Sequence, residues 1–257
     1  MKATVCELPN EAGALEEAWK GLCAHVRGQG SEFVLLPEMP FFPWLAHTQN
    51  VSSEEWEASV QAHNDWAERL SDLAPATVVS TRPTMTQGIR RNMGYVWDSE
   101  HGRTDVHAKY YLPNEPAYWE ATWYSRGNKA FEGHETAYGK IGFLICTELW
   151  FTQHAREYGK QGVQVLVCPR VTPRSTAAKW VTGGQVAAVV SGAFCLSSNL
   201  AGKTSHGGDF AGVGWIIEPE EGQVLGLTSP DQPFLTVELD LSIADQAKRS
   251  YPRYVPD

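Results

Sequence analysis

The stretch Gly139-Lys-Ile-Gly-Phe-Leu-Ile-Cys146-Thr-Glu-Leu-Trp-Phe151 runs an apolar segment straight into a cysteine. Beyond it, Trp150, His154, Ala155 and Tyr158 recur at helical spacing. The run predicts a buried strand ending on Cys146, with a helix beginning at once. A cysteine at such a turn suits nucleophilic chemistry, because the N–H groups of the turn can hold an oxyanion and the helix start favours a thiolate. The competing reading is an inert buried thiol, the commoner fate of a strand cysteine. Upstream, Glu38 follows the apolar run Phe33-Val-Leu-Leu-Pro37, and Lys109 lies in His107-Ala-Lys-Tyr-Tyr-Leu-Pro113.

Outward from that stretch, strand and helix patterns alternate. Ala3 to Leu8 reads as a strand, and Leu15, Ala18, Trp19, Leu22, Cys23 and Val26 mark one face of a helix. Phe33 to Leu36 is a second strand. Ser52-x-x-Glu55 resembles a capping box ahead of a helix striped by Trp56, Val60, Trp66, Ala67 and Leu70. Further strands are predicted at Thr77 to Ser80, Arg91 to Trp97 and Arg103 to Ala108, the last two joined by a turn over Asp98 to Gly102. After Cys146 come a helix to Gln161, a strand Val163 to Cys168 and a helix Ser175 to Val190. Strands follow at Ala193 to Ser198, Ala211 to Glu218, Gln223 to Leu227 and Phe234 to Leu239, and the tail Arg249 to Asp257 reads as extended. The alternation predicts mixed sheets covered by helices. With no linker, repeat or low-complexity segment, residues 1–257 are expected to form one domain.

The 257 residues can bury a full core, and 42% hydrophobic with 20% charged residues is ordinary globular composition. A net charge of −9 argues against nucleic acid or an anionic membrane as partner. No run approaches about 18 apolar residues, so no membrane span is expected. Five cysteines without a Cys-x-x-Cys pair suit reduced thiols and a cytoplasmic location. The eight histidines show no metal-ligand spacing, His206-Gly-Gly-Asp209 included, and no phosphate-loop pattern occurs. No cofactor or metal is expected.

Glu38, Lys109 and Cys146, in that order and spacing, resemble the Glu–Lys–Cys triad of the nitrilase, or carbon–nitrogen hydrolase, superfamily. Leu36-Pro-Glu38, Lys109-x-x-Leu-Pro113 and Ile145-Cys146-x-Glu148-x-x-Phe151 resemble three of its blocks. Gly162 to Pro169 and Phe210-x-Gly212-x-x-x-Ile216-Ile-Glu-Pro219 are similar to two more. The resemblance implies an α/β four-layer α–β–β–α sandwich that assembles as a homodimer or higher homo-oligomer. It also places a fourth family residue, a glutamate, on Glu120.

Each of these residues has a plainer reading. Glu38 could be a strand-end carboxylate in water; beside a cysteine it is a general base, provided burial raises its proton affinity. Lys109 could be a solvated lysine; beside Cys146 it is a fixed cation for an oxyanion, joined by the Thr147 N–H. Glu120 is either a partner for Lys109 or a positioning group. The loops after Glu38 and Lys109 are aromatic, so Phe42, Trp44, Trp119 and Trp123 are candidates for an apolar substrate pocket. Arg170 and Arg174, flanking Val-Thr-Pro, are either surface arginines or a clamp for a substrate carboxylate.

The expected activity is cysteine-dependent hydrolysis of a non-peptide carbon–nitrogen bond in a small-molecule amide, through an acyl thioester. The triad does not separate an amidase from a nitrilase, an N-carbamoyl amidase or an acyltransferase. A catalytically weak binding or regulatory relative is the alternative from another class. A papain-type protease is disfavoured, because no Cys-Gly-Ser-Cys-Trp pattern is present.

Overall fold

Residue alternation along the strands builds the core, and a computed structural model describes residues 1–203 and 209–256. The first half of the chain supplies β1 (Lys2–Pro9), α1 (Ala12–Gln29), β2 (Phe33–Leu35), α2 (Ser53–Arg69), β3 (Thr77–Thr86), β4 (Ile89–Asp98), β5 (Gly102–Ala108) and α3 (Glu120–Trp123). The second half supplies β6 (His134–Thr136), β7 (Gly139–Phe143), α4 (Thr152–Lys160), β8 (Val165–Arg170), α5 (Ala177–Ser191), β9 (Phe194–Lys203), β10 (Asp209–Ala211), β11 (Trp215–Ile217), β12 (Val224–Leu227), β13 (Phe234–Glu238) and α6 (Leu241–Ala247).

Among the described residues the strands form one 13-stranded sheet with the nine-strand path β5-β4-β3-β2-β1-β9-β8-β7-β6, from which β10 and β11 branch at β9, β12 at β11 and β13 at β1. It is folded into two sheets at β1, which pairs in parallel with β2 over Ala3–Val5 and with β9 over Glu7–Pro9. Ala3, Val5, Phe33, Leu35 and Val79 of one sheet meet Ile141, Phe143, Val165, Val167, Phe194 and Leu196 of the other. The alternate residues point outward. Val34, Leu36 and Val78 pack under α1 with Trp19 and Leu22, whereas Leu166, Cys168 and Cys195 pack with Ala155 and Tyr158 of α4 and Ala187 of α5. The result is a four-layer α–β–β–α sandwich, produced by the period-two geometry of each strand.

Several expectations need correction. β7 ends at Phe143, and Cys146 opens a 3₁₀ turn, Cys146–Trp150, with α4 starting only at Thr152. β3 runs on to Thr86 as a hairpin arm paired with β4. Ser52 does cap α2, accepting the Glu55 N–H at 3.0 Å. The tail is not extended. It folds into turns, with Arg253 donating to Ala247 O, Val189 O and the Glu220 carboxylate at 2.7, 2.9 and 2.6 Å. His206 lies outside the described residues.

Candidate active site

Glu38, Lys109 and Cys146 follow the ends of β2, β5 and β7, and Glu120 opens α3. Glu38 follows β2, and the next residue, Met39, turns the chain at φ 44° with its N–H on Thr81 Oγ1 at 2.9 Å. Lys109 directly follows β5, its N–H on Asn92 O and its carbonyl taking the Gly127 N–H, both at 2.9 Å. Gly127 must be glycine for this approach, since a Cβ there would fall 2.2 Å from Ala108 O. Cys146 lies past β7 at φ 47°, in the left-handed region that a side chain adopts only at a cost of about 1–3 kcal/mol. Such an elbow fixes the thiol at the start of a turn.

Lys109 joins the two glutamates. Its Nζ donates to Glu38 Oε1 at 2.7 Å and to Glu120 Oε2 at 2.6 Å, and all three side chains are buried. Asn92 Nδ2 also donates to Glu38 Oε1, at 2.7 Å, and the Tyr124 hydroxyl donates to Glu120 Oε2. An ammonium has three protons, so Lys109 keeps one for another acceptor. Among the described residues, no group donates to Glu38 Oε2 or Glu120 Oε1. A buried carboxylate oxygen without a donor is costly, and each leaves an open hydrogen-bond acceptor in the site.

Burial, and then the negative charge of Glu38, push the Cys146 thiol up to about 12, against the pull of Lys109. At neutral pH the resting site therefore holds a thiol, not the thiolate that a helix start suggested. A thiol in that state becomes a nucleophile only where a neighbouring base can take its proton. Lys109 itself is held charged: burial opposes the charge, but Glu120 and Glu38 outweigh it. Burial raises the Glu120 carboxyl to about 7, Lys109 opposing and Glu38 adding to the shift.

Glu148 stands in the Ile145-Cys146-x-Glu148 motif and has no role assigned from sequence. The structure buries it completely, with Oε2 accepting from Ile145 N at 2.9 Å and from His107 Nε2 at 2.8 Å, and Oε1 from Tyr110 N at 2.7 Å. A buried carboxylate two residues past a candidate nucleophile was the available signal.

Cys146 and Thr147 open onto a cavity of about 320 Å³, also lined by Tyr118, Trp150, Thr172 and Trp180, with Glu115 and Lys179 as its charged wall groups. The Thr147 N–H lies in the first turn of the 3₁₀ helix, where N–H groups have no intrahelical acceptor. A hollow of about 540 Å³ at another edge is lined by Thr77, Asp98, His101, His134 and Tyr138 and includes none of these site residues.

The expected aromatic pocket is corrected. Phe42, Trp44, Trp119 and Trp123 do not line the cavity; Trp44 and Trp123 are buried in a core between the loops with Trp56, Val171 and Phe210, and the half-buried Phe42 and Trp119 pack against it. Trp44 donates to Ala117 O at 3.0 Å and Trp123 to Thr48 O at 2.7 Å, lacing the two loops together. Burying their rings against each other holds the loops that carry Glu38 and Glu120. The arginine clamp fails as well. Arg170 is fully buried, donating to Ser197 Oγ, Thr172 Oγ1 and Val213 O at 2.7, 2.6 and 2.6 Å and stacked 4.0 Å from the Trp215 ring. Each of the three guanidinium nitrogens thus already donates within the protein. Arg174 is exposed and lies off the cavity wall.

The carbon–nitrogen hydrolase family model matches residues 2–249, and the chain belongs to this family. An N-carbamoylputrescine amidase from Solanum tuberosum is 27% identical over 161 residues, covering 56% of this chain and 53% of that protein. A citrullinase from Francisella tularensis subsp. tularensis (strain SCHU S4) is 23% identical over 146 residues, covering 54% and 50%. The chain thus spans about half the length of these curated relatives. A carbon–nitrogen hydrolase from Helicobacter pylori G27 superposes with a TM-score of 0.87 at 18% identity, over 99% of this chain and 94% of that one, a likeness of fold.

Proposed function

We propose that the protein hydrolyses a non-peptide carbon–nitrogen bond of a small molecule, with Cys146 as nucleophile. The observation that carries this is the buried Glu38–Lys109–Glu120 cluster beside a raised thiol at a strained elbow. Glu38 takes the Cys146 proton as Sγ bonds to the substrate carbon. The carbonyl π pair moves onto oxygen, where the third Lys109 proton and the Thr147 N–H hold it. The carbonyl re-forms, the C–N bond breaks, and the amine leaves with the proton Glu38 returns. Water then attacks the thioester carbon and gives a proton to Glu38. Collapse of that intermediate breaks the C–S bond and restores the thiol and the free acid. Glu120 holds Lys109 in place throughout.

A carbamoyl substrate is the favoured form of this reading, because the names of two curated relatives, the N-carbamoylputrescine amidase and the citrullinase, describe carbamoyl chemistry. The acyl enzyme would then be a carbamoyl thioester, hydrolysed to ammonia and carbon dioxide. Glu115 and Lys179 are the wall groups that would read a charged substrate tail. The five free thiols suit a reducing compartment such as the cytoplasm. Exposed Val186 on α5 offers a face for the homo-oligomer that the family resemblance implies.

The test is ammonia release across primary amides, nitriles and carbamoyl compounds, with Cys146→Ala as blank. Release from amides or carbamoyl compounds by wild type alone is expected. Release from nitriles alone would move the reading to a nitrilase, and equal release by Cys146→Ala would refute it.

A further inference from the structure

No step above uses His107 or Glu148, yet both are buried beside the reacting groups. Glu148 takes the N–H of Ile145, the residue before Cys146, and the N–H of Tyr110, the residue after Lys109. One carboxylate therefore ties the nucleophile's peptide to the cation's peptide, although the two residues lie on different strand ends. His107 completes the brace from β5: its Nε2 meets Glu148 Oε2 at 2.8 Å and its Nδ1 meets Ala130 O at 3.1 Å. Both ring nitrogens face acceptors, which favours the imidazolium; burial opposes that charge, but the Glu148 carboxylate outweighs it.

We infer that the His107–Glu148 pair is a positioning device, holding Cys146 Sγ in register with the Lys109 ammonium. The inference rests on the reading of Cys146 as nucleophile and Lys109 as the oxyanion cation. A glutamine at 148 has one acceptor oxygen, and its NH₂ group must then confront an N–H of Tyr110, or of Ile145 and His107. Two opposed donors push the segments apart, and small displacements at a reacting centre carry large rate penalties.

The probe is iodoacetamide, which needs no knowledge of the substrate. Sγ bonds to the methylene carbon, iodide leaves with its electron pair, and the thiol proton passes to Glu38. Alkylation of the Cys146 peptide is followed by mass spectrometry and normalised to folded protein; kcat and KM are measured on the best substrate. Glu148→Gln should slow alkylation and lower kcat by about tenfold or more, with KM within about twofold. Glu148→Asp, which keeps the charge, should recover part of that rate. Arg253→Gln breaks a distant buried brace and should lower Tm without changing the alkylation rate per folded molecule.

Wild-type alkylation by Glu148→Gln would overturn the inference, as would equal slowing by Arg253→Gln. Where Glu148→Gln does not fold, His107→Gln decides: slowing of about threefold or more is expected, and the wild-type rate overturns the inference. Activity surviving in Cys146→Ala would instead defeat the nucleophile assignment. An inactive Cys146→Ala together with a fast Glu148→Gln defeats the positioning role alone.

Discussion

Arg170 spends its guanidinium on Ser197, Thr172 and Val213, so removing it leaves buried acceptors without donors. Arg170→Met should lower unfolding stability by at least about 3 kcal/mol. Its effect on turnover should be the same for acidic and neutral substrates, since the side chain does not line the cavity. Selective loss of acidic substrates in a stably folded variant would restore the clamp. Glu38→Gln keeps the shape of the site but cannot take the thiol proton, and kcat should fall at least about 10²-fold. Near-wild-type turnover would transfer the base role to Glu120. Glu38, Lys109 and Cys146 were singled out because each is a polar residue at or just beyond a strand-like run, where burial without a function is expensive, and because together they resemble the family's triad. The cavity wall was not. Tyr118, Trp150 and Trp180 have the same local pattern as Trp44 and Trp123, and only tertiary packing decides which rings face a ligand and which face each other.

At the scale of elements, α2 is pinned to the Glu38 loop by one neutral histidine. His63 is buried, its Nδ1 donating to Ser59 O at 2.8 Å and its Nε2 accepting the Phe41 N–H at 3.3 Å. Burial lowers its pKa from 6.5 to about 4. The unfolded chain therefore binds the proton first, so this stability is present above about 6.5 and is lost as pH falls toward about 4. The full loss amounts to about 3 kcal/mol. Urea titrations from pH 7 to pH 4 should show it in wild type, and His63→Gln should show a shallower decline. Identical slopes would remove His63 from the acid response. The strands and long helices were legible because their apolar periods are strong. The 3₁₀ turn at Cys146 was not, because a left-handed non-glycine residue breaks the helical register without changing the spacing of Trp150, His154 and Tyr158. Likewise the tail reads as extended from its prolines, whereas the contacts of Arg253 fold it back.

Across the whole molecule, a net charge of −9 does not dictate what the cavity accepts, because Glu115 and Lys179 give its wall both signs. Among carbamoyl compounds of equal length, those with a charged tail should have lower KM than neutral ones. Lys179→Met should raise KM for anionic tails and Glu115→Gln for cationic tails, each by a factor equivalent to about 1–3 kcal/mol. Unchanged KM across the series in both variants would remove these residues from recognition.

If Cys146 is the nucleophile, its Sγ carries the acyl group during turnover. Wild-type protein turning over its best substrate should be quenched in acid and digested, and the Cys146 peptide weighed. The acyl or carbamoyl mass should stand on Cys146 in the steady state, disappear when substrate is exhausted and never form in Cys146→Ala. Steady turnover with Cys146 unmodified and the adduct on another residue would contradict it.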